Sequence, residues 1–479
     1  MKKEKKARRT KIVATLGPAT DDPNVLKRLF EAGVDVVRLN FSHGEAQDHI
    51  ARAQAVRSLS KKTGRHVGIL ADLQGPKIRI ARFSAGHIML AKGDHFRIDI
   101  NLDESIGDQL QVGCSYADLA VDLSVGDQLM LDDGRIVLEA KKIADGKIDC
   151  TVVVGGKLSD NKGINVQGGG LSASALTDKD KLGIITAANI EADFVAVSFP
   201  RGADDMNLAR KLVIDAGSKA LLVAKIERAE VIDQLEQIID ASDIVMVARG
   251  DLGVEIGDAN LPAAQKRIIR VARSRNTAVI TATQMMESMI ENSIPTRAEV
   301  FDVANAVSDG TDAVMLSAET SVGKYPVETV KAMGRICSET ERQPSNQLSD
   351  HQVGGQFETI DEAIALSAMY VANHTDVRAI AAFTDSGSTP LRMSRVSSGV
   401  PIFAILNDAA ICRRVTIFRG VTPVLIALQQ RGSPDVFKDA IDEFKRLKIV
   451  DVHDLVIFTA GELTGIHGGT NSMKIIQVE

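Results

Sequence analysis

Short runs rich in valine and isoleucine alternate along most of this chain with longer amphipathic stretches. A strand of a parallel sheet is buried on both faces and carries such an apolar run, whereas the helix that follows it is apolar on one face only. Eight runs fit this pattern: Lys11–Gly17, Asp35–Ser42, His66–Leu73, Asp193–Phe199, Ala220–Ile226, Asp243–Arg249, Ala278–Thr283 and Asp312–Ala318. Eight strand–helix repeats of this length predict a closed (β/α)8 TIM barrel.

The alternation is interrupted after the third run and resumes in a second α/β pattern near the C-terminus. From Lys77 onward, short apolar runs are separated by turn pairs such as Gly93-Asp94 and Gly126-Asp127, which predicts an all-β insertion after strand 3. A polar linker is expected at 343–355. The predicted domains are a tail at 1–10, the barrel at 11–76 and 173–343, an all-β lid domain at 77–172 and a C-terminal three-layer α/β domain at 356–479.

Composition excludes several classes of function. The net charge of -6 argues against a general nucleic-acid binder. We find no apolar run long enough to span a bilayer, and the basic start lacks the apolar stretch of a secretory signal. The four cysteines form no CxxC pair, so we expect reduced thiols. These features predict a cytoplasmic protein without membrane or nucleic-acid partners.

Polar residues cluster at the ends of the predicted barrel strands, where barrel enzymes assemble their active sites. They are Arg38, Asn40, Ser42, His43, Asp72, Arg79, Lys225, Glu227, Arg249, Gly250, Asp251, Thr283, Gln284, Ser317 and Glu319. The basic residues suit an anionic substrate, and Glu227 with Asp251 suits Mg²⁺, which prefers oxygen ligands. Together they indicate phosphoryl transfer or enolate chemistry. Each cation alone is also compatible with a solvated or ion-paired role, and the two carboxylates with a structural ion pair to Lys225 or Arg249.

At these positions the sequence closely resembles the pyruvate kinase family, over almost the whole chain. The motifs that carry the resemblance are TKIVATLGPA from Thr10, VVRLNFSHG from Val36, AKIERAE from Ala224, MVARGDLGVEI from Met246, ATQMMESM from Ala282, PTRAEVFDVANAV from Pro295 and MLSAET from Met315. Several long motifs in order are far more specific than a single glycine pattern. The resemblance implies transfer of a phosphoryl group from phosphoenolpyruvate to ADP, giving pyruvate and ATP.

The resemblance also implies residue roles. Arg38 and Arg79 would hold the phosphoryl group, Lys225 would neutralise charge on it and on the enolate, and Glu227 with Asp251 would bind Mg²⁺. Thr283 and the backbone of Gly250 and Asp251 would hold the substrate carboxylate. Thr283 would help to protonate the enolate, with Ser317 and Glu319 behind it.

For the nucleotide, the resemblance implies contacts with Arg79, Lys162 and the turn from Asn40 to His43, under a lid formed by the β insertion. Lys162 is equally compatible with an ordinary surface position. The family is usually a homotetramer, and its C-terminal domain often binds a sugar phosphate or another effector. The expected effector turn comprises Thr384, Ser386, Gly387, Ser388 and Thr389, although such clusters also occur in plain turns.

One departure from the family pattern concerns K⁺. Many members hold K⁺ with residues that match Asn40, Ser42 and Asp72, together with a threonine where this chain has Leu73. Those members also carry a glutamate where this chain has Lys77. An ammonium group carries the same charge as K⁺, so Lys77 is expected to substitute for the ion and leave only a vestigial K⁺ site. The alternative is that Lys77 points into water.

Two rival functions are also compatible with the residues. One is another Mg²⁺-dependent barrel enzyme that acts on phosphoenolpyruvate or a 2-keto acid, such as an aldolase or lyase. The other is a non-catalytic metabolite sensor, although Lys225, Glu227, Asp251 and Thr283 are all present.

Overall fold

The computed structural model describes residues 8–343, 346, 357–426, 436–461 and 469–479, and its strands and helices are numbered along the chain. Eight parallel strands close into a barrel in the order β1-β16-β15-β14-β13-β12-β3-β2. They are β1 (Lys11–Thr15), β2 (Val36–Asn40), β3 (Gly68–Asp72), β12 (Phe194–Val197), β13 (Leu221–Ile226), β14 (Ile244–Ala248), β15 (Ala278–Ala282) and β16 (Ala313–Leu316). All eight predicted strands form, and the predicted barrel is confirmed. Some polar residues of the motifs lie in the strands themselves, and most of the others follow the strand ends on loops or in the first turns of helices at the barrel mouth.

The barrel helices pack outside the strands against aliphatic side chains. They are α1 (Pro23–Ala32), α2 (Ala46–Thr63), α4 (Asp178–Asn189), α5 (Ala203–Asp215), α6 (Leu235–Asp240), α7 (Arg249–Ile256), α8 (Leu261–Ser274), α9 (Arg297–Asp309), α10 (Ala318–Ser321) and α11 (Pro326–Glu341). Thr177 caps α4 and Thr296 caps α9, each in a reciprocal capping box. Such caps satisfy backbone N–H groups that have no partner inside a helix.

The segment between β3 and α4 forms a separate β-rich domain with its own apolar core. Its elements are β4 (His87–Leu90), β5 (His95–Asp99), β6 (Gln111–Val112), α3 (Leu119–Asp122), β7 (Gln128–Leu131), β8 (Ile136–Ala144), β9 (Lys147–Val154), β10 (Gly156–Ser159) and β11 (Ile164–Val166). A six-stranded sheet, β11-β7-β8-β9-β5-β6, and the pair β10-β4 make up the fold. The prediction of an all-β insertion missed α3, because a single turn of helix is too short to show a period.

The C-terminal domain contains a five-stranded sheet in the order β19-β18-β17-β20-β21, parallel except for β21. Its elements are α12 (Ile360–His374), β17 (Val377–Phe383), α13 (Ser388–Arg395), β18 (Ile402–Leu406), α14 (Ala409–Arg414), β19 (Val421–Leu425), α15 (Val436–Arg446), β20 (Leu455–Ala460) and β21 (Ser472–Gln477). Apolar cores lie on both faces of this sheet, as the predicted three-layer arrangement requires. The predicted linker at 343–355 lies almost entirely outside the described residues.

Among the described residues, no helix is both long and apolar enough to cross a lipid bilayer. The barrel and the C-terminal domain are joined by buried ion pairs. Arg395 of α13 is fully buried and donates to Asp312, with 3.0 Å between Nη1 and Oδ2.

Candidate active site

Lys225, the penultimate residue of β13, is held by three oxygen atoms at the barrel mouth. Its ammonium nitrogen lies 2.9 Å from Glu227 Oε1, 2.7 Å from Ser198 Oγ and 3.5 Å from Asp72 Oδ1. Burial opposes the charge on this group, but Asp72 and Glu227 outweigh it and raise the pKa of Lys225 above its ordinary value. Lys225 is therefore a fixed cation at neutral pH and not a candidate base.

Asp72 contacts a second cation, Arg38, in addition to Lys225. Arg38 Nε donates to Asp72 Oδ2 over 2.6 Å, and Arg38 Nη1 donates to Thr15 Oγ1 over 3.1 Å. Burial alone would raise the pKa of Asp72, but Lys225 and Arg38 together lower it below its ordinary value. The ends of β2, β3 and β13 thus hold Arg38 and Lys225 on either side of Asp72, and these two cations suit an anionic substrate.

Glu227 and Asp251, the predicted Mg²⁺ ligands, lie in the same mouth. Glu227 is buried, and its Oε2 accepts a hydrogen bond of 2.8 Å from the backbone N–H of Phe199. Burial raises the pKa of Glu227; Lys225 opposes this shift, and the nearby charge of Asp251 adds to it. Asp251 Oδ1 lies 3.3 Å from the ammonium group of Lys77. The two carboxylates thus face one another closely enough to repel, and a cation between them would relieve that repulsion.

The carboxylates of Glu227 and Asp251 fit Mg²⁺ better than a metal ion whose ligands all come from protein side chains. The described part of the chain contains no group of three or more His, Cys, Asp or Glu residues arranged around a metal position. Mg²⁺ characteristically uses one or two carboxylates and completes its shell with water and substrate phosphate oxygens. Glu227 and Asp251 are such a pair.

Thr283 and Gly250 are also brought together. The backbone N–H of Gly250, in the first turn of α7, donates to Thr283 Oγ1 over 2.8 Å, and Thr283 has a left-handed backbone with φ of 68°. A non-glycine residue in this conformation is uncommon and often marks a functional turn. The hydroxyl and the amide bond one another here, so a substrate carboxylate would have to replace that bond.

Arg249 does not join the cations of the mouth. Its guanidinium donates to the carbonyl of Thr283 over 2.6 Å and to Asp302 over 2.7 Å, and the side chain is buried. The sequence-based inclusion of Arg249 among the cations facing the substrate was therefore wrong, because its side chain turns back to brace the Thr283 turn.

Ser317 and Glu319 are hydrogen-bonded to each other beside that turn, and Glu319 is buried. Glu319 Oε2 accepts a hydrogen bond of 2.7 Å from the N–H of Ser317, and Oε1 accepts one of 3.2 Å from the N–H of Met286. Burial raises the pKa of Glu319 above its ordinary value. Glu319 thus connects the loops after β15 and β16.

The turn from Asn40 to His43 lies among several cations. Asn40 Oδ1 accepts from the N–H of Ser42 over 3.2 Å, which fixes the turn. Burial lowers the pKa of His43, and the positive charges of four residues lower it further. These four are Arg79, Arg38, Lys179 and Lys77. Such a collection of positive charge suits a polyphosphate.

Arg79 and Lys162 are adjacent on the β-rich domain. The guanidinium of Arg79 donates to the carbonyl of Asn161 over 2.9 Å, and Lys162 pairs with Asp132 at 2.8 Å. Lys162 is half-buried in that ion pair, so the structure gives it a partner on its own domain.

Two candidate residues were missed by sequence reasoning. Ser198 directly follows β12, and the rule applied to the other strand ends could have identified it. Lys179 lies in the first turn of α4, donates to Gln74 Oε1 over 2.7 Å and acts on the pKa of His43. No sequence pattern distinguishes Lys179, because a lysine in the first turn of a helix is usually only a solvated surface residue.

The predicted effector turn forms between β17 and α13. Gly387 has φ of 88°, and its N–H donates to Thr384 Oγ1 over 2.9 Å. Ser386 Oγ accepts from the N–H of Ser388 over 3.3 Å. Ser386 is exposed, whereas Thr389 is buried and bonded to Thr470 Oγ1 at 2.8 Å. Ser386 and Ser388 are thus better placed than Thr389 to meet a ligand.

Comparison with protein families finds two matches that together span most of the chain. Residues 7–330 match the family described as pyruvate kinase, barrel domain. Residues 362–476 match the family described as pyruvate kinase, alpha/beta domain.

Curated relatives and a solved structure agree with these matches. Pyruvate kinase II of Salmonella typhimurium is 53% identical over 479 residues, which cover 99% of this chain and 100% of the relative. Pyruvate kinase of Haemophilus influenzae is 53% identical over 461 residues, covering 95% and 96% respectively. A crystal structure of a pyruvate kinase from Cryptosporidium parvum matches with a TM-score of 0.91 at 32% identity, covering 98% of this chain and 96% of that one.

Proposed function

The chain belongs to the pyruvate kinase family and transfers a phosphoryl group from phosphoenolpyruvate to ADP; we propose that Arg38 and Lys225 hold the transferring group while Glu227 and Asp251 bind Mg²⁺. The observation that carries this assignment is the fixation of Lys225 by Asp72, Glu227 and Ser198. A cation fixed before substrate binds needs no reorganisation when charge develops in the transition state.

The transfer separates charge in a way that these groups match. The bond between phosphorus and the enol oxygen breaks, a bond from phosphorus to an ADP oxygen forms, and the enolate is left behind. Lys225 would stabilise negative charge first on the phosphoryl group and then on the enolate oxygen. Bound Mg²⁺ would supply further neutralisation of phosphoryl and enolate charge.

The enolate must then gain a proton at carbon to become pyruvate. We assign this proton route to Thr283, with Ser317 and Glu319 behind it. Support comes from the burial of Glu319, which raises the pKa of its carboxyl group, and from the hydrogen bond that it accepts from Ser317. The Gly250 N–H and the Thr283 hydroxyl would hold the substrate carboxylate at the start of α7.

ADP is assigned to the cation cluster around Asn40 and His43, with Arg79 and Lys162 on the lid. We add Lys179 to this set because its charge reaches His43. We place the lid at residues 77–172, between the barrel segments 11–76 and 173–343. Its closure would bring Arg79 to the nucleotide and exclude water from the transfer.

We propose that the enzyme works without added K⁺. Leu73 is buried, and its carbonyl accepts a hydrogen bond of 2.7 Å from Ser198 Oγ. Asp72 is held by Arg38 and Lys225, so the residues of a K⁺ site are already engaged. Lys77 contacts Asp251 and acts on His43, which supports a role for its ammonium group in the mouth in place of the ion.

Regulation, assembly and location complete the proposal. The Thr384–Thr389 turn of the C-terminal domain (356–479) would bind a phosphorylated effector, a sugar phosphate or nucleotide, through Ser386, Ser388 and backbone N–H groups. A homotetramer would cover exposed apolar residues such as Phe301 on the barrel and Tyr370 on the C-terminal domain. We place the enzyme in the cytoplasm, where the family acts.

Changing Ser386 and Ser388 to aspartate should abolish activation by phosphorylated effectors and preserve unactivated turnover. An unaltered response to these effectors would place the effector site elsewhere.

The decisive experiment measures pyruvate formation from phosphoenolpyruvate in a coupled assay, with and without ADP and Mg²⁺. We expect pyruvate and ATP to form in equal amounts and only when both are present. Pyruvate formed without ADP would favour a lyase or phosphatase and contradict the assignment.

A further inference from the structure

Glu255, in the last turn of α7, lies where the lid returns to the barrel. It follows Asp251 by four residues on the same helix, so one turn of helix separates a proposed Mg²⁺ ligand from this point. Glu255 Oε2 accepts a hydrogen bond of 2.8 Å from the N–H of Ala229, two residues after Glu227. The carbonyl of Glu255 accepts one of 2.9 Å from the N–H of Gly168 in the returning lid segment. Glu255 thus touches both the lid connection and the loop that carries the other ligand.

The returning segment is a run of three glycines in left-handed backbone. Gly168, Gly169 and Gly170 have φ of 88°, 83° and 99°. A Cβ atom on Gly169 would lie only 2.2 Å from Glu230 Oε2 and 3.6 Å from Glu255 Oε2. The glycines therefore serve two purposes: they allow the backbone conformation, and they let the chain pack directly onto two carboxylates. We call residues 168–170 the glycine hinge.

A small cavity of about 20 Å³ lies beside Glu255, between the two lid connections and the barrel. Lys77 and Ile78 line it from the outgoing connection, Asn165 and Leu171 from the returning one, and Phe199, Arg228 and Glu255 from the barrel. Its volume is enough for about one water molecule. Packing at this junction is thus incomplete, which gives the connection room to move.

Arg228 and Glu230 form an ion pair at the junction beside Glu255. Arg228 pairs with Glu230 Oε1 at 2.5 Å and donates to the carbonyl of Leu171. Within the described part of the chain, Arg228 Nε and Glu230 Oε2 are buried and make no hydrogen bond. Glu230 is thus paired through one of its two oxygens only, and the charges of Glu230 and Arg228 both act on Glu255.

Among the residues that the structure describes, no cation forms an ion pair with Glu255. Asn165 of β11 faces it with a neutral amide, and Lys77 across the cavity directs its ammonium group to Asp251. The preceding strand β14 is wholly apolar, and α8 packs against α7 through Leu261. Burial raises the pKa of Glu255 to about 7, and the charge of Glu230 adds to this shift. The hydrogen bond from the Ala229 N–H, the charge of Arg228 and the hydrogen bond from Asn165 oppose it.

We propose that Glu255 is a lid-positioning residue, which holds the glycine hinge packed against the barrel when it is protonated and loosens the hinge when it is ionised. In an opened hinge Glu255 would be hydrated and would titrate near its ordinary pKa. The packed form therefore binds the proton more tightly, and linkage requires that packing weaken as pH rises through the pKa of the packed form. The inference rests on the proposed role of residues 77–172 as a lid over ADP.

The test follows hydrogen–deuterium exchange of the segment 163–173 in the full-length enzyme at pH 6 and pH 8.5, corrected for the intrinsic pH dependence of exchange. With pKa values near 7 packed and 4.5 opened, the packed-to-open ratio of the wild type should fall about tenfold between these pH values. Glu255→Gln is neutral at both pH values and should abolish the fall. Glu230→Gln removes the like charge and should reduce it. Glu31→Gln, an exposed position on α1, is the matched control and should behave as the wild type.

The same samples give kcat and the KM for ADP, which separate this inference from the proposed function. A KM for ADP that rises with pH in the wild type and not in Glu255→Gln supports the inference. The inference would be overturned, even in a fully active enzyme, by either of two results. One is a packed-to-open ratio that does not change with pH, and the other is an equal fall of that ratio in Glu255→Gln and the wild type. A hinge that responds while the KM for ADP stays constant would refute lid positioning and, with it, the lid's part in holding ADP.

Discussion

The barrel mouth and the lid hinge both bury carboxylates beside basic side chains, but their charge balance differs. In the mouth, Asp72 lies between Arg38 and Lys225, and its pKa is lowered. At the hinge, Glu255 is buried near the Arg228–Glu230 ion pair and forms no ion pair itself among the described residues, and its pKa is raised to about 7. Asp72 and Lys225 in the mouth therefore keep their charges across the physiological range, as preorganised catalysis requires, whereas Glu255 at the hinge changes its charge within that range.

The largest effect is expected in the mouth, from Lys225→Met. This change removes the fixed cation and leaves Asp72 and Glu227 without their shared partner. We expect kcat to fall by about 10²–10³-fold or more, as happens when one preorganised group that stabilises transition-state charge is lost. The KM for phosphoenolpyruvate should change far less.

Steady-state kinetics at saturating Mg²⁺ measure this prediction, with Lys181→Met as an exposed control on α4. Turnover near the wild-type value would show that Lys225 has no part in the mechanism. The contrast between the permanent charges of the mouth and the titrating charge of the hinge would then have no consequence for catalysis.

The next effect concerns Mg²⁺. Glu227→Gln and Asp251→Asn should each raise the Mg²⁺ concentration for half-maximal activity by about tenfold or more, equivalent to about 1.4 kcal/mol, because each removes one anionic ligand. Activity titrated with Mg²⁺ measures it, and Glu31→Gln, an exposed carboxylate on α1, is the control. A double variant that titrates as the wild type does would contradict the assignment.

Lys77 joins the two regions, because it lines the hinge cavity and contacts Asp251 in the mouth. Lys77→Glu reverses its charge beside a carboxylate, and we expect about fivefold lower activity in K⁺-free buffer, as about 1 kcal/mol of lost interaction implies. Added K⁺ should restore part of that loss.

Tetramethylammonium-balanced buffer, with and without K⁺, measures the response, and Lys92→Glu on the lid surface is the control. A large stimulation of the wild-type enzyme by K⁺ would show that Lys77 does not replace the ion.

Strand positions could be predicted from the sequence because parallel strands carry a distinctive apolar run, and the barrel then placed Lys225, Asp72 and Arg38 at one mouth. The direction of Arg249 could not be predicted. Its side chain follows the left-handed turn at Thr283, and a threonine in that conformation is exceptional. Glu255 was missed for another reason: its environment is made by the returning glycine hinge, far away in sequence, and no local pattern reports burial between two domains.

The last effect is on stability at the hinge and not on turnover, and its sign separates the two regions. Because the pKa of Glu255 is raised from 4.5 to about 7 on folding, its protonated form is the stable one in the folded state. The contribution to stability is complete below about pH 4.5 and is lost as pH rises to about 7. Glu255→Gln should therefore increase the free energy of unfolding at pH 8 by roughly 1–3 kcal/mol and change it little at pH 4.5. Urea denaturation at both pH values measures this difference, with Glu31→Gln as control. A variant less stable than the wild type at pH 8 would mean that ionised Glu255 is well satisfied by Ala229 and Asn165, and that the hinge, like the mouth, is built around a permanent charge.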